Sequence, residues 1–215
     1  MREKELTLRT DELDQMERLY RNNLINSISG FKSANLLGSV DENGRANLAI
    51  FSSVTHFGSN PPLLGFVVRP PVVPRHTYEN LKSTGYFTIN HVHRDHIIRA
   101  HQTSAKYDQS VDEFEQCGFV KEMSDLHPVP YVRRAPIKIG LSFEEEYPVK
   151  ANGTILVLGK IIELKALPSV IKEDGFVDLA EAGSVTINGL DSYLLPEKLA
   201  RFTYARPPQN LERTL

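Results

Sequence analysis

Asp41-Glu-Asn-Gly44, followed by Arg45-Ala-Asn-Leu-Ala-Ile-Phe-Ser-Ser-Val54, is the stretch whose reading decides the fold. The tetrad reads as a turn, because Asn-Gly tolerates the positive φ that a tight reversal demands. Residues 46–54 after it and 34–40 before it read as the two strands of a hairpin. Further on, residues 63–68 form a third strand, fenced by Pro61 and Pro62 on one side and Pro70 and Pro71 on the other. Proline has no N–H to give a ladder, so these prolines mark strand ends. Residues 76–84 read as a short helix that Gly85 stops. Residues 86–92 are a fourth strand. Residues 137–147 and 154–164 are long strands meeting at a second hairpin signal, Asn152-Gly153. Short strands at 185–187 and 192–195 close the pattern. Helices are predicted at 11–28, with Leu13, Met16, Tyr20 and Leu24 on one apolar face, at 93–101 and at 112–117.

Short strands joined mostly by hairpins, with helices inserted, predict a mainly β chain: an antiparallel barrel of Greek-key type. A doubly wound parallel sheet is excluded, because strands and long helices do not alternate. No linker separates two cores, so residues 1–215 are expected to form one domain. Residues 11–28 are its N-terminal helix and 165–215 its C-terminal extension.

Composition narrows the function. Of 215 residues, 40% are apolar and 24% charged, enough to build a core. Lys plus Arg is 25 against 27 Asp plus Glu, a net charge of -2 that argues against a nucleic-acid partner. The single cysteine, Cys117, excludes an internal disulfide and a multi-thiolate zinc site. No run has the length of a membrane span, and the first residues lack an apolar signal-peptide core, so a cytoplasmic protein is expected.

The near-neutral total conceals an uneven distribution. Residues 43–78 contain no Asp or Glu, where the chain average gives about four or five. The same window holds Arg45, Arg69, Arg75, His56 and His76. Such a stretch suits an anion, which a nearby carboxylate would repel. Asn47 to Val54 is a strand ending in hydroxyls, with small residues that leave backbone groups open to a planar heterocycle with imide edges. Arg69 closes the next strand. Arg75-His76-Thr77 opens a helix, where free N–H groups and the dipole favour phosphate. Together these features favour a phosphorylated planar cofactor.

Other chemistries have less support. His91, His93, His96 and His101 cluster in sequence, and His91 and His93 would share a strand face. Two such histidines with a carboxylate can ligate a metal, yet the group straddles a strand-to-helix boundary. Cys117 has no basic neighbour to activate it. No nucleophile elbow, Walker loop or dinucleotide-binding glycine fingerprint is present.

Four pieces of this sequence carry a resemblance: Asn47-Leu-Ala-Ile-Phe-Ser-Ser-Val54, Asn60-Pro-Pro-Leu-Leu-Gly-Phe66, Arg75-His-Thr-Tyr-Glu-Asn80 and Thr84-Gly-Tyr-Phe-Thr-Ile-Asn90. In this order and spacing the chain resembles the flavin reductase-like family, the FMN-binding split β-barrels that include flavoredoxin-type proteins. The similarity runs from about Ser29 to Glu163, with residues 192–206 as a subfamily extension. The resemblance implies a six-stranded split barrel that forms a homodimer and holds FMN near the subunit interface. It implies that Asn47, Ala49, Ile50 and Phe51 touch the flavin, with strand backbone on the pyrimidine edge. Ser52 and Ser53 would reach the ribityl chain or phosphate, and Arg75, His76 and Thr77 would hold the phosphate. Ala105, Lys106 and Tyr107 stand where the family has a further flavin-contacting loop, and Lys32 and Ser33 would contribute from the first barrel strand.

The implied activity is an oxidoreductase that takes hydride from NADH or NADPH through FMN to an acceptor, with no protein acid or base required. One departure bears on it. Many members carry Gly-Asp-His before a strand ending Gly-Glu-Val, whereas this chain has Ala151-Asn-Gly-Thr-Ile-Leu-Val-Leu-Gly-Lys-Ile161. The missing histidine keeps open an alternative: an FMN-binding module or redox sensor without turnover. A metal-dependent hydrolase built on His91 and His93 is the third alternative.

Overall fold

The computed structural model describes residues 5–207 and 213–214; the last residues of the predicted C-terminal extension, 208–212 and 215, lie outside the described residues. Helices α1 (Thr10–Gln15) and α2 (Arg18–Ile28) lead into strands β1 (Lys32–Ser33), β2 (Asn35–Val40), β3 (Ala46–Phe51), β4 (Thr55–Ser59) and β5 (Pro62–Val68). Helix α3 (His76–Thr84), β6 (Tyr86–His91), α4 (Ile97–Gln102) and α5 (Glu113–Gln116) follow. Then come β7 (Lys121–Ser124), β8 (His127–Val132), β9 (Ile137–Val149), β10 (Thr154–Ala166), β11 (Thr186–Asn188) and β12 (Ser192–Leu194).

Seven strands form one antiparallel sheet in the order β3-β2-β6-β9-β10-β5-β4. Its two outermost strands, β3 and β4, are neighbours in sequence, linked by residues 52–54 alone. In a flat sheet six strand spacings would separate them by about 29 Å. Four Cα steps reach at most about 15 Å. The sheet must therefore curl until its ends meet, which makes it a split barrel. Ser53 clasps the seam: its Oγ donates to Val67 O at 3.2 Å and accepts from Val67 N at 3.0 Å.

Alternation along the strands then makes two cores. Leu37, Phe66, Phe87, Ile89, Leu141 and Val157 fill the inner face, together with Leu81 of α3. Leu36, Leu48, Val92, Phe114, Val132 and Ile187 form a second cluster on the other face, under α4, α5 and β8. In the inner core, Phe87 packs edge-on against Phe66 with centroids 5.4 Å apart. Gly159 of β10 leaves room for that ring: a Cβ there would lie 2.4 Å from Phe87 Cζ.

Both predicted hairpins are present, and Gly44 (φ 78°) and Gly153 (φ 73°) take the positive φ in their turns. Gly85 ends α3 in the left-handed region, with its N–H on Leu81 O. Several expectations are corrected. The sheet has seven strands where the resemblance implies six, the added one being the exposed β4. The strand predicted over 46–54 ends at Phe51, because the chain turns at 52–54 to close the seam. The single helix over 11–28 is two, broken at Met16, whose ψ of 148° is extended. Glu17 caps the second helix by accepting from Tyr20 N. Neither helix fully buries a residue: of the predicted apolar face, Leu13, Met16 and Leu24 are half-buried and Tyr20 is exposed. Over 93–101 a 3-10 turn (Arg94–His96) precedes the α-helical part. The late strands β11 and β12 join β1 in a three-stranded sheet that ties the C-terminal region to the barrel's first residues.

Candidate functional site

The acid-free window builds one continuous feature of the barrel. β3 is an end strand: it pairs with β2 on one side only, so half of its backbone groups face out of the sheet. Leu48 N donates to Glu113 Oε2 at 3.2 Å instead of to β2, so Leu48 is an outward-facing residue. By alternation Ile50 faces out as well, while the backbones of Asn47, Ala49 and Phe51 serve the ladder with β2. Helix α3 packs beside the start of this edge. Its first intrahelical bond is Glu79 N to Arg75 O, so the N–H groups of His76, Thr77 and Tyr78 have no partner within the helix.

A buried polar network fixes α3 to the sheet. Asn47 Nδ2 donates to Thr77 Oγ1 at 2.9 Å and to Ser39 Oγ at 3.3 Å, and Asn80 Nδ2 donates to Ser39 Oγ at 3.1 Å. All four residues are buried. Thr77→Val would leave the Asn47 amide with its longer contact alone. We expect a loss of about 1–2 kcal/mol, read from the urea midpoint.

At the start of α3 the Arg75 side chain donates through Nη2 to Pro70 O at 3.2 Å. Its Nε is buried and has no partner among the described residues. A buried guanidinium donor without an acceptor is a defect that an anion would repair. A depression at the first residue of α3 is lined by Asp41, Arg45, Ala46, Asn47, His76, Asn80 and Gln109, with Arg75 outside its lining. Arg45 Nη1 donates to Gln109 O at 3.1 Å, bringing the 104–110 segment to the same edge.

The predicted site residues divide accordingly. Asn47, Arg75, His76 and Thr77 come together, although the Thr77 hydroxyl is buried against Asn47 and not displayed to solvent. Ile50 lies further along the same edge. Ser52 stands five residues beyond Asn47, about 17 Å along an extended strand. Ser52 and Ser53 therefore do not share one anion position with Asn47 and Thr77. Arg69 is exposed just past β5 and has no polar partner among the described residues. Ala105 and Lys106 are exposed beyond α4, and the Tyr107 hydroxyl accepts from Gln102 Nε2 at 3.0 Å. Lys32 donates to Asn26 O and Ser29 Oγ, and Ser33 accepts from Asn35 Nδ2, so both serve local contacts near β1.

The window is free of acids in sequence but not in space. Glu79 Oε1 accepts from Arg75 N at 3.0 Å, and Asp41 lines the depression. Asp108 is held low first by Ser110 donors and also by the charges of His76 and Arg45. Burial pushes the Glu113 carboxyl up, against the opposing pull of hydrogen bonds and of His76.

The comparisons agree with the split-barrel fold. Residues 28–177 match the flavin reductase like domain. The chain belongs to the flavin reductase-like family. A protein from Shewanella frigidimarina NCIMB 400, assigned as a flavin reductase with a split barrel domain, is 42% identical with a TM-score of 0.90. That match covers 94% of this chain and all of the other. An FMN-binding protein from Thermus thermophilus has a TM-score of 0.67 at 18% identity, covering 81% of this chain and 93% of its own. The NADH:FAD oxidoreductase SgcE6 of Streptomyces globisporus C-1027 has a TM-score of 0.66 at 13% identity, covering 86% and 96%. Membership of this flavin reductase-like family makes a flavin-linked oxidoreductase role the setting for the site.

Within this family member the histidine alternative lacks a donor set. Among the described residues no three of His, Cys, Asp and Glu are placed to hold a metal ion. His91 Nδ1 lies 3.4 Å from Ser184 Oγ, His93 lies against Asp95, and His101 Nδ1 is 3.1 Å from Tyr193 Oη. Burial pushes His91 down to about 4. The unfolded chain then takes up a proton that the folded one refuses. Stability is full above about pH 6.5 and is lost as pH falls toward 4. His91 is partly exposed, so we expect about 2 kcal/mol at most. His91→Gln should flatten the difference between urea midpoints at pH 7.5 and pH 5. Cys117 is buried, and burial raises its thiol.

Two residues of the site escaped the sequence reading. Leu48 supplies an outward backbone group, and strand parity alone could have exposed it once the edge was known. Glu113 comes from 65 positions away and leaves no local signal.

Proposed function

We propose that this chain binds FMN along the outer edge of β3 and acts as an oxidoreductase that draws on NADH or NADPH. The observation that carries the reading is Arg75 at the mouth of α3, with a buried Nε that lacks an acceptor. The residues fit the group. Arg75, with the free N–H groups of His76 and Thr77, would hold the phosphate, and Arg45 adds positive charge nearby. Ile50 presents an N–H and a C=O side by side on the open edge, which suits the acceptor–donor pattern of a pyrimidine imide. Asn47 and Asn80 hold the strand and helix in place through Ser39 and Thr77. When bound, FMN would supply the hydride chemistry that links a nicotinamide donor to an electron acceptor. The protein contributes orientation and donors near the pyrimidine edge, which stabilise negative charge gained on reduction.

Exposed apolar side chains on α2, among them Leu19, Tyr20, Ile25 and Ile28, support a homodimer. No described helix is long and apolar enough to cross a membrane. A second reading, flavin binding without turnover, is favoured by the tip of the β9–β10 hairpin. There Asn152 accepts from Thr154 N at 3.1 Å, in the stretch where the family resemblance implies a histidine and this chain has none. Protein mixed with FMN and passed through a sizing column should keep stoichiometric flavin absorbance. A colourless protein peak would overturn the proposal.

A further inference from the structure

Glu113 has no part in the reading above, yet it is only 5% exposed and lies on the edge that the flavin is assigned to. Buried carboxylates are uncommon without a specific partner. Here the partner is the Leu48 N–H at 3.2 Å. The helix that carries it is fixed at its start: Asp112, the cap of α5, accepts from Phe114 N at 3.0 Å and pairs with Lys121. With the carboxylate gone, the buried Leu48 N–H would join the half-buried Ile50 pair as a second outward-facing backbone group on β3, two residues or about 7 Å away. An imide edge could dock on either, and the ring would slide by that distance relative to the phosphate position at α3. The carboxylate removes one choice by occupying the Leu48 donor, and its charge repels imide carbonyl oxygens.

We propose that Glu113 is a positioning residue: by blocking Leu48 N–H it fixes Ile50 as the backbone pair that receives the pyrimidine edge of the flavin. This rests on the flavin reading, and the experiment separates the two. In flavin-free protein, the Leu48 amide should exchange with solvent about tenfold faster in Glu113→Ala than in wild type, while Glu113→Gln, which keeps an acceptor, retains protection. With FMN, Glu113→Ala should change Kd by about tenfold and shift the visible flavin band, and Glu113→Gln should restore both. If Glu113→Ala does not fold, Glu113→Asp, one methylene too short for Leu48 N–H, carries the same expectations. Unchanged Leu48 exchange in these variants overturns the assignment by itself. So does unchanged flavin affinity and spectrum once the Leu48 amide is freed. Wild-type protein that takes up no FMN overturns the flavin reading and this assignment with it.

Discussion

Arg75→Ala should weaken FMN binding by about 10- to 100-fold, measured by quenching of flavin fluorescence. The figure follows from losing charge-assisted hydrogen bonds worth about 1.5–3 kcal/mol. Arg75 carries the expectation because its Nε is buried and unpartnered beside free helix N–H groups, so an arriving phosphate would relieve a cost already present. Arg75→Lys should recover only part of the affinity, since an ammonium restores charge without the planar fork. His76→Ala should cost less, because an imidazole offers at most one donor where Arg75 offers a charged planar fork. The Arg75 side chain also holds Pro70 O, so thermal unfolding of the variant is the control for a loosened 69–75 loop. An unchanged Kd would mean that the phosphate position is elsewhere.

Gly159→Ala should be among the most disruptive single-methyl changes in the barrel. Its Cβ would meet Phe87 Cζ at 2.4 Å, Cε1 at 2.7 Å and Leu141 Cβ at 3.2 Å. Phe87 is fully buried and braced by Phe66, so the ring cannot swing aside freely. Overpacking of this kind costs about 1–3 kcal/mol. For a chain of this size that lowers the melting midpoint by roughly 2–4 °C per kcal/mol. Phe87→Leu in the same chain should return part of the loss, and a double-mutant cycle measures the coupling. Additive effects would show that the ring is not what the glycine accommodates.

These two variants also mark what the sequence could convey. Gly159 and Phe87 sit in separate motifs, Val157-Leu-Gly-Lys-Ile161 and Thr84-Gly-Tyr-Phe-Thr-Ile-Asn90, and their meaning emerges only when the strands bring them into contact. The hairpins were legible because Gly44 and Gly153 have a local task, a positive φ. Strand β8 was not, since Pro128 and Pro130 argue against a ladder. It is tolerated because β8 pairs with β7 alone in a two-stranded sheet. The short α1–α2 break at Met16 leaves no proline or glycine to announce it. At the site, the helix start at Arg75 and the strand at Asn47 were readable as local signals. Two acids that the fold returns to that strand were not: Asp108 and Glu113 lie far beyond the window in sequence and beside it in space, whereas Asp41 and Glu79 flank it directly. Long-range pairing decides which charges surround a ligand, and a linear count cannot register it.

The central claim is that FMN sits on the open edge of β3 and is reduced there by a nicotinamide. Anaerobic titration of the FMN-loaded protein with NADH, and separately with NADPH, tests it most directly. The account predicts that the bound flavin's visible band bleaches in proportion to the donor added. The flavin should remain with the protein, and Arg75→Ala should need more FMN to reach the same signal. A protein that retains no flavin, or bound flavin that neither donor bleaches, would contradict it.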